Sequence, residues 1–124
     1  MDNILITGAT GFLGSNFIKS NSHNYNNVFA ITRGKASKKK NISYCKLDIT
    51  NTLKVDEFIK ENSIDIILHF AFDHTYNNNV NMVESISKAV TKNNIKKNVL
   101  ISSISVLKIN NNKIDLVYNK KNDP

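Results

Sequence analysis

Three glycines recur at intervals of three in Thr7-Gly8-Ala9-Thr10-Gly11-Phe12-Leu13-Gly14. That spacing is able to cradle a diphosphate. Gly8 allows a tight turn, Gly11 has no Cβ to block a pyrophosphate approaching the backbone, and Gly14 lets a following helix pack close to a sheet. Amide N–H groups near Phe12 and Leu13, at the positive end of that helix dipole, would then bind the two phosphates, with Thr10 in the same turn. A bare three-glycine pattern carries little weight. Here it follows an apolar run and precedes a helical pattern, which is the context the motif demands. The bland alternative is an ordinary glycine-rich turn between a strand and a helix.

The turn must be positioned by the elements around it. The run Asn3-Ile4-Leu5-Ile6-Thr7 reads as a buried strand, and Phe12, Leu13, Phe17 and Ile18 fall at helical spacing over residues 12–20. Further apolar runs at 28–31, 42–47, 64–70 and 98–101 read as four more strands. Leu53, Phe58 and Ile59 form the stripe of a helix over 52–62, capped by Thr50 or Asn51. Met82, Val83, Ile86, Ala89 and Val90 form that of another over 79–92. Strands apolar throughout, alternating with amphipathic helices, require a sheet covered on both faces. The expected fold class is therefore α/β: a doubly wound, mainly parallel, Rossmann-like sheet, truncated after about the fifth strand. Residues 34–41 are lysine-rich and short, and are expected to form a surface loop or a single turn. The expected division is a dinucleotide-binding domain over 1–107 and a polar tail over 108–124.

Composition narrows the class. With 124 residues, 40% of them apolar, the chain is long enough for one domain with a core of its own. Cys45 is the single cysteine. It supports neither a disulfide framework nor a CxxC zinc site, and a reducing, cytoplasmic setting is expected. The most apolar stretch, 64–72, is interrupted by Asp65 and His69 and falls far short of the roughly 20 residues that cross a bilayer, so no membrane association is expected. The net charge of +7 favours an anionic partner. Arg33 is the one arginine among 17 cations. Base-reading interfaces favour the arginine fork, so nucleic acid is not the expected partner. His23 and His74 have no partner at metal-ligand spacing, and no metal site is expected.

Beyond the glycines, the chain resembles the extended short-chain dehydrogenase/reductase family of NAD(P)-dependent epimerases and dehydratases. Asp48-Ile49-Thr50 resembles the segment whose Asp meets the adenine ring. His69-Phe70-Ala71 matches the first three positions of the family's His-x-Ala-Ala signature. Asn79-Val80 resembles the start of Asn-Val-x-Gly-Thr, with Met82 and Val83 in place of Gly and Thr. Residues 101–106, Ile-Ser-Ser-Ile-Ser-Val, resemble Ile-Ser-Ser-x-x-Val-Tyr-Gly. The likeness covers about residues 1–107. It implies cofactor-binding roles for Gly8, Thr10, Gly11, Phe12, Leu13, Gly14, Asp48, Ile49, His69 and Ala71. It also implies a nucleotide-sugar substrate, and a dimer face on helix 79–92, whose stripe is equally well explained by packing on the sheet.

NAD-preferring members carry an acidic residue at the end of the second strand. Thr32 and then Arg33 stand there. A guanidinium can grip a 2′-phosphate bidentately, with Lys35 and Lys38 to Lys40 nearby, so NADP is expected, with NAD the alternative. A solvated loop is the competing reading of the same charges.

Catalysis in the family uses Ser, Tyr and Lys, the last two as Tyr-x-x-x-Lys. The resemblance makes Ser103 the candidate catalytic Ser. Tyr118 is followed by Lys121 at the third position and by Asn122 at the fourth. Either Tyr118 and Lys121 form a distorted dyad, or the true dyad lies beyond residue 124; the second is favoured. The leading expectation is the cofactor-holding portion of an epimerase, dehydratase or reductase, incomplete and inactive alone. A non-enzymatic NADP sensor, or a subunit completed by a partner, is the alternative. His69 is expected either beside the cofactor or as a packed residue bonded to its surroundings.

Overall fold

The computed structural model describes residues 1–100, 107–110 and 113–116. Its elements are β1 (Asn3–Thr7), α1 (Phe12–Asn21), a short 3₁₀ turn (Ser22–Asn24), β2 (Asn27–Ile31), β3 (Ser37–Lys39), β4 (Ile42–Cys45), α2 (Thr52–Glu61), β5 (Ile66–His69), α3 (Tyr76–Asn93), β6 (Lys97–Leu100), β7 (Leu107–Asn110) and β8 (Lys113–Leu116). The first six strands form one sheet in the order β3-β4-β2-β1-β5-β6. All its pairings are parallel except that of β3 with β4. This is the doubly wound, Rossmann-like architecture the alternating pattern requires. Chain order reverses at β1, between β2 and β5, and ligands bind at such a switch point, outside the carboxyl ends of the strands.

The sheet is buried on both faces because residues of one strand alternate between two cores. Leu5, Ile31 and Ile67 pack with Val55 and Ile59 of α2 and Ile86 and Ala89 of α3. Ile4, Ile6, Val28, Ala30 and Leu68 pack with Ile18 of α1 on the other side. A T-shaped contact of Phe29 with Phe58, ring centroids 5.7 Å apart, seats α2, and Asn51 caps its first turn by accepting the Lys54 N–H at 3.1 Å. Midway along α2, the Asp56 carboxylate accepts from Lys60 of the same helix at 3.0 Å and from Asn93 of α3 at 2.5 Å, with Lys92 of α3 3.6 Å away, and so joins the two helices.

The expected surface loop at 34–41 is corrected by the structure: Ser37–Lys39 is a short antiparallel edge strand. Its residues are all exposed, so there is no apolar alternation to read. Backbone pairing with β4 alone defines it, through a turn with Lys40 at φ 55°, and lysines on an edge strand discourage pairing with other chains. Helix α3 begins a turn earlier than its apolar stripe, because Tyr76, Asn77 and Asn78 are exposed and carry no burial signal. Strands β7 and β8 pair with each other as a two-stranded antiparallel sheet. Ser103, Tyr118 and Lys121 lie outside the described residues. Among the described residues no helix is long and apolar enough to cross a membrane, and no cluster of His, Cys, Asp or Glu could hold a metal ion.

Candidate functional site

A cleft of about 810 Å³ opens over the carboxyl ends of β1, β2, β4 and β5, within the roughly 300–1,000 Å³ of small-molecule and cofactor sites. Three segments wall it: the β1–α1 turn, the end of β2 with Thr32 to Gly34, and Leu47 to Thr50 after β4. The segment after β5, from Phe70 to Asp73, closes the side toward α3.

The turn at Gly8 to Gly11 is tied to the end of β2 and closed by a bond of its own. The Ala9 N–H donates to the Ile31 carbonyl at 3.3 Å, and the Gly11 N–H to the Gly8 carbonyl at 3.1 Å. Gly8 has φ +66°, and a Cβ there would stand 2.6 Å from the Ala71 amide nitrogen. Both conformation and packing therefore demand glycine. At Gly14 a Cβ would lie 2.2 Å from the Gly8 carbonyl oxygen, so α1 reaches the turn only because that side chain is absent. Gly11 differs. Its φ of −75° and ψ of 177° suit any residue, and the nearest atom to an added Cβ is 3.4 Å away, an ordinary contact. Nothing within the described chain excludes a side chain at Gly11, which is exposed at the cleft.

The first backbone bond into α1 is from Ser15 N–H to the Gly11 carbonyl, 2.9 Å. No side chain caps the helix, and its first turn holds no acidic residue. The amides of Phe12 and Leu13 thus face outward at the positive helix end without an intrahelical acceptor. Their side chains are exposed, Phe12 at 83% and Leu13 at 51%, and do not line the cleft.

At the other end of the cleft, Thr32 Oγ1 accepts the Gly34 N–H at 3.0 Å and shapes the turn that carries the exposed Arg33. Asp48 Oδ1 accepts both the Thr50 hydroxyl, at 2.6 Å, and the Thr50 N–H, at 3.0 Å. These bonds hold its carboxyl below the usual carboxylate range. Leu47, Ile49 and Ile31 line the same end and supply an apolar surface for a flat ring. Asp73 is held low in pKa first by the Asn78 amide, at 2.6 Å, then by the His74 N–H, with Arg33 adding a weaker attraction. Asn79 anchors that loop, its Oδ1 accepting the Asp73 N–H and its Nδ2 donating to the Asp73 carbonyl, both at 2.8 Å.

Of the residues singled out in the sequence, Gly8, Thr10, Gly11, Arg33, Asp48, Ile49 and Ala71 line the cleft together. Gly14 is buried under the turn, and His69 lies behind the wall, 3% exposed. Asp73, Asn78, Phe72 and Met82 also line it and were missed. The first three belong to the stretch between β5 and the stripe of α3, where no periodicity marks a role. Met82 reads as a core position and serves both purposes.

A doubly wound sheet with a glycine-lined cleft over its switch point defines a class of ligand-binding α/β domains. Residues 4–115 match the NAD dependent epimerase/dehydratase family, and the chain belongs to that family. It is 30% identical, over 86% of its length, to the bifunctional protein GAL10 of Pachysolen tannophilus, of which it spans 19%. Among solved structures it resembles dTDP-glucose 4,6-dehydratase from Bacillus anthracis in complex with NAD, at 27% identity and a TM-score of 0.73, covering 86% of this chain and 39% of that one. L-threonine dehydrogenase from Clostridium difficile is similar at 26% identity and a TM-score of 0.74, with 89% and 39% covered. UDP-glucose 4-epimerase from Bifidobacterium longum, in complex with NAD⁺ and UDP, shares the fold at 21% identity and a TM-score of 0.70, with 84% and 38% covered. The chain thus spans about two fifths of these solved chains and a fifth of the curated relative.

Proposed function

We propose that the cleft binds a nicotinamide dinucleotide, and that this chain is the cofactor-holding portion of a nucleotide-sugar epimerase, dehydratase or reductase. Gly11 carries the reading. A glycine that neither conformation nor packing requires, beside the outward-facing amides of Phe12 and Leu13, is explained by an external group that must reach the backbone, and a diphosphate fits that place. The adenine would lie against Ile49, Ile31 and Leu47 beside Asp48, and the adenosine ribose beside Thr32 and Arg33. Ala71 would border the nicotinamide half, whose chemistry is hydride transfer.

The absence of an acidic side chain at Thr32 and the presence of Arg33 favour NADP over NAD, and this preference rests on those residues alone, since the solved relatives named with a cofactor hold NAD. Ser103 is proposed to orient a substrate oxygen. Residues beyond 107 are proposed to begin the catalytic segment. The small share of the relatives' length supports the proposal that the chain does not turn over a nucleotide-sugar alone.

Titration with NADH and NADPH, followed by nucleotide fluorescence and thermal stabilisation, tests the reading, because a ligand that binds only the folded form must raise its stability. Binding of one or both is expected. A folded protein that takes up neither at millimolar concentration refutes it. Arg33→Ala is expected to weaken NADPH about tenfold, in line with the loss of a charge-assisted bond, and to flatten its salt dependence while leaving NADH unchanged. An unchanged NADPH affinity would remove the NADP preference and leave the dinucleotide site standing.

A further inference from the structure

Thr7 and His69 are register partners at the carboxyl ends of β1 and β5. Both are buried, Thr7 at 1% and His69 at 3% exposure, and neither lines the cleft. Thr7 Oγ1 stands 2.6 Å from His69 Nδ1 and accepts the Ala71 N–H at 3.1 Å. A hydroxyl has one proton to give. The Ala71 amide sits on one lone pair, and among the described residues no acceptor other than His69 Nδ1 lies within hydrogen-bond distance of the Thr7 hydroxyl, so that proton is directed to Nδ1, which leaves the ring hydrogen on Nε2. Burial disfavours the charged ring, so one of its two nitrogens is left bare as an acceptor.

The Ala71 peptide matters because Gly8 rests on it. A Cβ on Gly8 would meet the Ala71 nitrogen at 2.6 Å and the Phe70 carbonyl carbon at 2.7 Å. The contact is backbone on backbone, and the tilt of one peptide sets the seat of the other. The Phe70 N–H donates to the Thr7 carbonyl at 3.2 Å, so the main chain ties the two strands at the same level. Without the Thr7 hydroxyl, the Ala71 amide loses the acceptor that orients it.

We infer that Thr7 and His69 are positioning residues for the phosphate-binding turn: His69 orients the Thr7 hydroxyl, the hydroxyl orients the Ala71 peptide, and that peptide seats Gly8 without either side chain touching the nucleotide. The inference rests on the dinucleotide reading of the cleft. It assigns to His69 a role that its place behind the wall leaves unexplained on packing alone, since an apolar residue would fill the same space.

The test uses the whole chain with three variants. His69→Asn places a carbonyl oxygen where Nδ1 stood, His69→Leu removes the acceptor, and Thr7→Val removes the hydroxyl at constant shape. Affinity for NADH and NADPH is expected to fall about tenfold in His69→Leu and Thr7→Val, the loss associated with one buried hydrogen bond, and to recover most of the way in His69→Asn. Hydrogen exchange at the Ala71 amide is expected to speed up in Thr7→Val. The ¹⁵N spectrum of the wild-type imidazole is expected to show Nε2 protonated and Nδ1 bare, a signature that packing alone would not set. Wild-type affinity in both His69→Leu and Thr7→Val overturns the inference and leaves the dinucleotide site intact, as does a protonated Nδ1. A wild-type protein that binds neither nucleotide overturns both readings. If His69→Leu does not fold, Thr7→Val and the wild-type spectrum decide.

Discussion

Lowering the pH should remove stability from this protein well above the range in which carboxylates titrate. His69 is buried at the end of β5, between β1 and β6, and burial pushes its pKa down from 6.5 to about 4. The unfolded chain then accepts a proton near pH 6.5 that the folded chain refuses until about pH 4. Stability is full above pH 6.5 and falls as pH drops through that window. The linkage relation gives a loss of roughly 1.4 kcal/mol by pH 5.5 and about 3 kcal/mol by pH 4. Single domains have only about 5–15 kcal/mol in total, so the effect is large. The carboxyls of Asp2, Asp48, Asp56 and Asp73, all held below their ordinary 3.8, withdraw their contribution only at lower pH. Urea unfolding at half-unit steps from pH 7 to pH 4.5 measures the slope. His69→Asn, which cannot titrate, supplies the reference, and the difference between the two curves isolates the imidazole. Parallel curves for wild type and variant would refute the reasoning, because the ring would then be equally basic in both states.

The three glycines of the turn should separate cleanly. Gly14→Ala drives a Cβ to 2.2 Å from the Gly8 carbonyl oxygen and is expected to cost about 3 kcal/mol, the upper range for overpacking; an unchanged urea midpoint would contradict the packing. Gly11→Ala has room and an accommodating backbone, so its stability should stay within about 1 kcal/mol of wild type, the loss of unfolded-state freedom offsetting a poorer helix cap. Its affinity for NADH or NADPH should nevertheless fall at least about tenfold, as expected when a bonded group is held off its donors; full affinity would remove the main support for the diphosphate position. Asp56→Leu should lower the thermal midpoint by separating α2 from α3, and Lys60→Met, at an exposed partner, should lower it much less. Equal effects of the two would mean that Asn93 and Lys92 of α3 add nothing to the junction.

Local sequence determined much of this protein. The runs Ile4 to Ile6 and Val28 to Ile31 read as buried on both faces, and the stripes containing Ile59, Ile86 and Ala89 as their cover, because that arrangement removes apolar surface from water on both sides of the sheet; Leu53, read with Phe58 and Ile59, is instead exposed, and Val55 is buried in the core. Gly8, Gly11 and Gly14 were equally legible, since absent side chains at a fixed interval constrain a turn within a few residues of themselves. Strand β3 was not legible: Ser37, Lys38 and Lys39 bury nothing, and only the backbone of β4 beside them makes a strand of them. Nor was the distinction among the three glycines, which depends on Ala71 and Phe70, about sixty residues away, and on the helix axis of α1. The surroundings of His69 were decided at the same level: its partner Thr7 lies 62 residues away and meets it only where β1 pairs with β5, and a hydrogen bond across such a pairing leaves no periodic trace in the chain.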